Sequence, residues 1–231
     1  MSLSPNHGPR RHGGPPDMVV IHYTAMAGPA EAAERLCDPK AEVSAHYLIE
    51  ADGALLPLVE EPRRAWHAGA GAWGHVTDVN SHSIGIELDN RGGGDPFAAA
   101  QIDALCDLLT GVFARWNIPP ERVIGHSDCA PGRKDDPGRA FPWPHLATRG
   151  VAIWPWDVAP AAAPAPDAFA QDAARFGYRA RGGDWAPVLE AFRQRFRPRA
   201  AGPLDAQDTA IMAALARRWP HHPTRGAAAA S

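Results

Sequence analysis

Three short apolar runs, each ending near a polar side chain, constrain the fold of this chain more than any other feature. They are rich in Val and Ile, which favours buried β-strands. The runs are "MVVIHYT" (residues 18–24), "SIGIELDN" (residues 83–90) and "VIGH" (residues 123–126). His22, Glu87 and His126 lie towards their ends. Because residues at strand ends converge on one rim of a sheet, these three side chains are candidates for one functional site.

Hairpin and helical patterns separate these strands. Residues 44–60 predict two strands around an Asp-Gly turn at Asp52, and residues 31–37 predict a short helix. A longer helix is predicted after residue 94, with Asp95 as its N-cap and Pro96 at its first position. Strands and helices that alternate around one sheet predict an α/β or α+β fold.

Changes in composition divide the chain into segments. Residues 1–17 are rich in Pro, Gly, Arg and His, which predicts a flexible N-terminus before a main domain over residues 18–154. A Pro/Ala linker is expected over residues 155–166. Three helical patterns then predict a small helical domain over residues 167–220, and a flexible tail is expected over residues 221–231.

Charge and cysteine content exclude some classes of protein. The formal net charge of -3 argues against a sequence-blind nucleic-acid binder, which needs a basic stripe. The sequence contains no apolar run of about 18 residues, so no membrane span is expected. The first residues show no apolar core of a secretory signal, which favours a cytoplasmic protein, with the cell envelope as the alternative. Three cysteines without such a signal favour reduced thiols.

The strand-end side chains are of the types that hold a catalytic zinc ion. Zinc prefers imidazole and carboxylate ligands, and a catalytic site has three protein ligands and one open position. His22, His126 and one aspartate of the loop that follows would supply such a set. Glu87 is the candidate general base, which takes a proton from water and passes it to the leaving amine.

The loop after His126 carries the sequence "SDCAPGRKDDPGRAFPW" (residues 127–143). In extended backbone, alternate residues point to the same side. Lys134 and Asp136 would then project together, one towards an oxyanion and one towards the metal, and Asp135 would face away. Taken singly, however, a strand-end histidine is more often structural and a charged run is more often a solvated loop.

Five segments of the sequence resemble the conserved segments of a known family. They occur in the family's order and are "VVIHYTA", "VSAHYLIEADG", "RAWHAG", "SIGIELDN" and "VIGHSDCAPGRKDDPGRAFPW". The sequence is similar to the zinc-dependent N-acetylmuramoyl-L-alanine amidases of the type 2 amidase family, which also includes peptidoglycan recognition proteins and phage T7 lysozyme. The resemblance implies a central mixed β-sheet flanked by helices, Zn²⁺ ligands at His22, His126 and Asp136, and catalytic roles for Glu87 and Lys134.

Further positions follow from the same resemblance. It implies that Trp66 and His67 contact a muropeptide substrate, and the forked guanidinium of Arg133 suits a substrate carboxylate. Ala45 stands where T7 lysozyme and the catalytic recognition proteins carry a tyrosine, so Glu87 replaces that tyrosine in the expected mechanism. A thiolate at Cys129 is an alternative metal ligand.

The resemblance implies hydrolysis of the amide between N-acetylmuramic acid, or its 1,6-anhydro form, and the L-alanine of the peptidoglycan stem peptide. Two alternatives are a peptidoglycan-binding protein without catalysis and a zinc peptidase that cuts within the stem peptide. The segments "LEAFRQRFRP" and "GPLDAQDTAIMAAL" resemble a helical peptidoglycan-binding domain. The preference between soluble fragments and intact sacculus, and the oligomeric state, stay open at this point.

Overall fold

A computed structural model describes residues 4–221. Apart from His221, the tail predicted over residues 221–231 lies outside the described residues. The chain forms seven strands, which are β1 (His7–Gly8), β2 (Met18–Tyr23), β3 (Tyr47–Ile49), β4 (Leu55–Pro57), β5 (Arg64–Ala65), β6 (Ser83–Leu88) and β7 (Val123–Gly125).

The helices alternate with these strands and then continue alone. They are α1 (Pro29–Cys37), α2 (Val79–His82), α3 (Ala99–Trp116), α4 (His126–Cys129), α5 (Trp143–Thr148), α6 (Pro166–Phe176), α7 (Ala186–Phe196) and α8 (Ala206–Arg218), with a 3-10 turn at Pro120–Arg122. Within residues 4–221, no helix combines the length and the apolar character that crossing a bilayer requires.

The central sheet has five strands in the order β4-β3-β6-β2-β7. β3, β6, β2 and β7 run parallel, and β4 pairs antiparallel with β3 across the predicted hairpin. Helices cover the sheet, which confirms the predicted α/β fold with a central mixed sheet. Because the parallel strands end along one edge, the residues at their carboxyl ends lie side by side.

The two faces of the sheet pack against different helices. On β2, Val19 and Ile21 lie in a buried cluster with residues of α3 and α5. Met18 and Val20, which point to the other face, share a second cluster with residues of α6, α7 and α8. His22 is on the same face as Met18 and Val20, at the edge where that cluster ends.

The first described residues pack against the main body of the protein. β1 pairs with β5, and the guanidinium of Arg10 is buried. It donates to the backbone carbonyls of Ser81 at 2.8 Å, Ser83 at 3.0 Å and Glu61 at 2.6 Å. Within residues 4–17 this packing differs from the flexible N-terminus that the sequence predicted, because the partners of Arg10 are backbone carbonyls that no sequence pattern reveals.

The C-terminal helices confirm the three helical patterns found in the sequence. Their buried aromatic residues, such as Phe169 and Phe192, share one cluster with Val20 and Ile124 of the sheet and with Trp73. The helices and the sheet therefore bury their apolar side chains against each other. The division into a domain before residue 155 and a helical domain after residue 166 stays a proposal.

Candidate active site

The residues predicted to carry chemistry meet at the carboxyl edge of the sheet. His22 on β2 pairs in register with Glu87 on β6, which puts both side chains on one face. His126 follows β7 directly as the first residue of α4. The backbone carbonyl of Asp136 accepts a hydrogen bond from Ser127 N at 2.9 Å, which brings the loop back beside His126.

The side chains of His22, His126 and Asp136 form a tight buried triangle. Asp136 Oδ2 lies 2.9 Å from His22 Nδ1 and 3.0 Å from His126 Nδ1, and the two nitrogens are 3.0 Å apart. The three residues are 1%, 3% and 6% exposed, respectively. Ligand atoms of a tetrahedral zinc ion lie roughly 3.3 Å apart when the bonds are about 2.0–2.1 Å long, so the triangle has nearly the size of one face of such a site.

Hydrogen bonds outside the triangle fix which nitrogen of His126 carries its proton. His126 Nε2 lies 2.9 Å from the carbonyl oxygen of Ala68. A carbonyl oxygen only accepts, so Nε2 is the donor. In the neutral ring, Nδ1 then carries a lone pair, and that lone pair points into the triangle.

A chain of three hydrogen bonds fixes His22 in the same way. Ser83 Oγ donates to the carbonyl oxygen of Val79 at 2.6 Å, so it accepts from His67 Nε2 at 3.0 Å. His67 Nδ1 therefore has a lone pair and accepts from His22 Nε2 at 2.9 Å. His22 Nδ1 is left with a lone pair directed at Asp136.

The charges of the triangle favour a cation. Burial, followed by the neighbouring His126, lowers the pKa of His22 to about 4, so this imidazole is neutral at pH 7. Burial acts to raise the pKa of Asp136, but when no metal ion is bound the protons that His126 and His22 share with the carboxylate hold this pKa below its usual value. With both imidazoles in their neutral forms, two nitrogen lone pairs and one carboxylate oxygen converge on one point, which fits a divalent metal ion such as zinc with one coordination position open.

Gly85 on β6 makes room for the histidine behind His22. A Cβ atom at this position would lie 2.4 Å from Cγ and Cδ2 of the His67 ring. Gly85 is two residues before Glu87, so both face the same side of the sheet. A side chain at Gly85 would push His67 away from His22 and break the chain of hydrogen bonds.

The carboxylate of Glu87 is partly buried in a cavity that His22 and His126 also line. Its Oε2 atom is buried and has no hydrogen-bond partner within residues 4–221. Burial, together with the nearby Asp136 carboxylate, raises the pKa of Glu87 to about 8, and Lys134 opposes that rise. A carboxyl group with a raised pKa in a cleft suits general acid–base catalysis near neutral pH.

This cavity opens over the triangle and has a volume of about 320 Å³. Glu87, Lys134 and Asp135 line it, and so do the two histidines of the triangle. Its walls come from β2 and the segment after it, from α1, from the segment before β3 and from the segment after β5, and they include Tyr23, Met26, Ala32, Arg35, Leu36, Val43 and Trp66. The lining of the cavity therefore combines apolar side chains with charged groups.

Lys134 lines the cavity, and Asp135, which was expected to face away, lines it too. The backbone N–H groups of Arg133 and Lys134 both donate to the carbonyl of Ala130, at 3.1 Å. The chain therefore turns immediately before Lys134, and residues 134–136 do not continue an extended strand with its two-residue alternation. Asp135 lies close to Tyr23, whose pKa is raised by burial and by this carboxylate.

The three predicted substrate contacts lie at different places. Trp66 and His67 line the cavity. Arg133 lines a neighbouring groove beside α7, and its guanidinium donates to the carbonyl of Ala68 at 2.7 Å. Contact of these side chains with substrate stays a prediction.

Cys129 lies outside the triangle. Its thiol points to the carbonyl oxygen of His126 at 3.3 Å. Burial, followed by the nearby Asp128 carboxylate, raises the pKa of Cys129 well above its usual value, so the sulfur stays protonated. Among the described residues, the cluster of metal-ligand type consists of His22, His126 and Asp136.

Sequence reasoning missed two residues of this site. Ser83 orients His67, and nothing in its sequence neighbourhood indicates that role. Tyr23 lines the cavity, and its place directly after His22 at a strand end is the signal that would have revealed it.

Comparison with known protein families shows which group the chain is similar to. The family model described as N-acetylmuramoyl-L-alanine amidase matches residues 12–139. The N-acetylmuramoyl-L-alanine amidase AmiD of Escherichia coli (strain K12) is 39% identical over an alignment that covers 87% of this chain and 83% of that protein. The 1,6-anhydro-N-acetylmuramyl-L-alanine amidase AmpD of Enterobacter cloacae is 34% identical over 61% of this chain and 83% of that protein.

Two solved structures are also similar to this chain. The complex of Escherichia coli AmiD with the substrate anhydro-N-acetylmuramic acid-L-Ala-D-γ-Glu-L-Lys superposes with a TM-score of 0.80 at 37% identity, covering 89% of this chain and 91% of that chain. AmpDh3 from Pseudomonas aeruginosa has a TM-score of 0.80 at 30% identity and covers 95% of this chain and 96% of that chain. Both matches extend beyond the residues of the family model, into the C-terminal helices.

Proposed function

Because this chain belongs to the N-acetylmuramoyl-L-alanine amidase family, we infer that it hydrolyses the amide bond between N-acetylmuramic acid, or its 1,6-anhydro form, and the L-alanine of peptidoglycan stem peptides. The observation that carries this conclusion is the buried triangle of His22, His126 and Asp136 beside Glu87. The names of the AmpD relatives, and the substrate bound in the AmiD complex, support anhydro-muropeptides as the substrate class.

We further propose that His22 Nδ1, His126 Nδ1 and Asp136 Oδ2 hold one Zn²⁺ ion. The lone pairs of the two imidazoles, fixed by outer hydrogen bonds, support this assignment. When bound, zinc supplies Lewis-acid activation of the amide carbonyl and of the attacking water.

The other charged groups of the cavity have separate roles in the proposed reaction. The Glu87 carboxylate takes a proton from the attacking water and returns it to the nitrogen of the leaving L-alanine. The Lys134 ammonium stabilises the negative charge that develops on the carbonyl oxygen. Removing one such donor costs about 2.7–4 kcal/mol of barrier in other amide hydrolases.

The walls of the cavity suit a ligand that is part sugar and part peptide. We propose that Trp66 and His67 contact the muropeptide near the scissile bond and that Arg133 meets a carboxylate further along it. The likeness of the C-terminal helices to a peptidoglycan-binding domain stays a prediction from sequence.

Digestion of defined substrates tests the function. We expect the zinc-loaded protein to cleave an anhydro-muropeptide into the anhydro sugar and the intact stem peptide, as identified by mass spectrometry. Sacculi digested in parallel, with and without a chelator, would show whether polymer is also a substrate. Products cut within the stem peptide, or binding without any product, would contradict the proposal.

Replacing His67 with Phe tests the hydrogen-bond chain behind His22. The Phe ring fills the space over Gly85 but cannot accept the proton of His22 Nε2, so the orientation and tautomer of His22 are no longer fixed. We expect zinc affinity to fall about 10- to 100-fold, the usual effect of losing a partner of a metal-bound histidine. Competition with a chromophoric chelator measures it.

The control for this variant is His145→Phe, which changes an exposed histidine on α5. It should leave zinc affinity unchanged. A rise in KM for His67→Phe with normal zinc affinity would assign His67 to substrate binding alone and would contradict its role behind His22.

A further inference from the structure

The carboxylate of Asp128, two residues after His126, is fully buried and has no part in the reaction described above. Its Oδ2 atom accepts a hydrogen bond from Gly125 N at 2.8 Å, which closes the first turn of α4. Gly125 and Asp128 therefore bracket His126 on both sides. The position of the proposed metal ligand depends on where this carboxylate is held.

The C-terminal part of the chain holds the Asp128 carboxylate. Arg195 on α7 donates from Nη1 to Asp128 Oδ2 at 2.9 Å, and the hydroxyl of Tyr178, after α6, donates to Oδ1 at 2.6 Å. Arg195 is 2% exposed and Tyr178 is 0% exposed. Bulk water therefore does not reach the Asp128 carboxylate to take the place of either donor. A buried carboxylate that lost these donors would be left as an uncompensated charge.

The same guanidinium also fixes the strand that leads to His126. Arg195 Nη2 donates to the carbonyl oxygen of Val123 on β7 at 2.9 Å. The Arg195 guanidinium carbon lies 4.4 Å from the ring centroid of Trp143, at the far end of the loop. One planar, forked side chain thus contacts β7, α4 and α5 together.

A second set of contacts holds the later part of the loop that carries Asp136. Arg139 Nη1 donates to the carbonyls of Pro198 at 2.9 Å and Ala200 at 3.1 Å, directly after α7. Pro187, at the start of α7, packs against Gly132 so closely that a Cβ on Gly132 would lie 3.0 Å from its ring. The segment from His126 to Arg139 therefore contacts the C-terminal helices near its start, at Gly132 and at its end.

We propose that the C-terminal helices position the metal-binding loop through Asp128, Arg195 and Tyr178, and are therefore needed for cleavage of soluble fragments as well as of polymer. If the helices only recruited the enzyme to polymeric peptidoglycan, their loss would affect the cleavage of polymer and not of soluble fragments. The inference rests on the proposed function, because it takes His126 as a metal ligand.

The test compares two variants of the full-length chain with a matched control. Arg195→Met keeps the length and apolar stem of the side chain but removes its donors, and Tyr178→Phe removes one hydroxyl. The control is Arg193→Met on the same helix, because Arg193 is equally buried but pairs with Asp208 on α8. The control breaks an ion pair inside the C-terminal helices and leaves the Asp128 contacts intact.

We expect Arg195→Met to lower zinc affinity about 10- to 100-fold, the size of effect seen when supporting partners of metal ligands are lost. At saturating zinc its kcat on a soluble anhydro-muropeptide should fall, with KM nearly unchanged, and activity on sacculi should fall in the same ratio. Tyr178→Phe should lower zinc affinity and kcat in the same pattern but by smaller factors. Arg193→Met should lower the melting temperature but keep the zinc affinity of the wild type.

Two results would overturn the proposal. One is a loss confined to sacculi, with zinc affinity and soluble turnover intact in Arg195→Met. The other is an equal loss of zinc affinity in Arg193→Met, which would mean that general instability causes the effect. If Arg195→Met does not fold, Tyr178→Phe decides by the same measurements. A wild-type protein that neither binds zinc nor cleaves the fragment would instead contradict the proposed function.

Discussion

Replacing Glu87 with Gln lowers kcat on an anhydro-muropeptide by about 10²- to 10⁴-fold, the range that general acid–base groups contribute. Gln has nearly the same shape but cannot take a proton from water or pass one to the leaving nitrogen. Because Glu87 is not one of the three proposed ligands, zinc affinity should stay within a few-fold of the wild type, as measured by competition with a chelator.

The pH dependence of kcat follows from the same group. Burial, together with Asp136, raises the pKa of Glu87 to about 8, and a bound cation in the same cavity lowers it again. The ionised form is the base, so kcat should rise with pH through this pKa and level off above it. The residual activity of Glu87→Gln should lack this rise.

The matched control for Glu87→Gln is Glu60→Gln, because Glu60 is an exposed carboxylate after β4 and does not line the cavity. It should retain wild-type kcat at every pH. Equal activity of Glu87→Gln and the wild type would remove Glu87 from the mechanism.

Replacing His126 with Ala abolishes zinc binding at the triangle and reduces turnover by about 10³-fold or more, because the Lewis-acid contribution of a metal amounts to several kcal/mol. Wild-type protein stripped with a chelator should regain activity with about one equivalent of zinc, whereas His126→Ala should not. Zinc content measured by atomic absorption, alongside turnover, checks both statements. In the wild type, zinc retention should fall as the pH is lowered, because protons compete for the imidazole lone pairs.

Cys129→Ala is the matched control for the ligand set. The thiol faces the carbonyl of His126 rather than the triangle, so zinc affinity and turnover should be close to the wild type. If Cys129→Ala lost zinc as completely as His126→Ala, the set of three ligands proposed here would be wrong.

The strands that build the site were predictable because their signal is local. A continuous run of Val and Ile, as in residues 18–21, favours a buried strand wherever it occurs. Three parallel strands of this kind share one edge, so His22, Glu87 and His126 meet there. The hairpin at Asp52 and the three C-terminal helices followed from equally local patterns.

The start of a helix and the packing of a terminal segment were not predictable where they depend on hydrogen bonds to distant residues. The long helix was expected to begin with Asp95 as its cap, but α3 begins at Ala99. The side chain of Asn90 donates to the carbonyls of Asp95 at 3.3 Å and Pro96 at 3.2 Å, which keeps both residues outside the helix. Residues 4–17 pack for a similar reason, because Arg10 finds backbone carbonyls of other segments.

By itself, the sequence determined which segments form the sheet, which side chains stand at its carboxyl edge, and which family the chain resembles. Only the tertiary structure decided that His67 fixes His22, that Asp135 joins the cavity, and that Arg195 on the C-terminal helices holds Asp128. The reason is physical. Strand and helix patterns depend on the spacing of apolar residues along a short stretch, whereas hydrogen bonds and buried ion pairs depend on which donors and acceptors the fold brings together from distant segments.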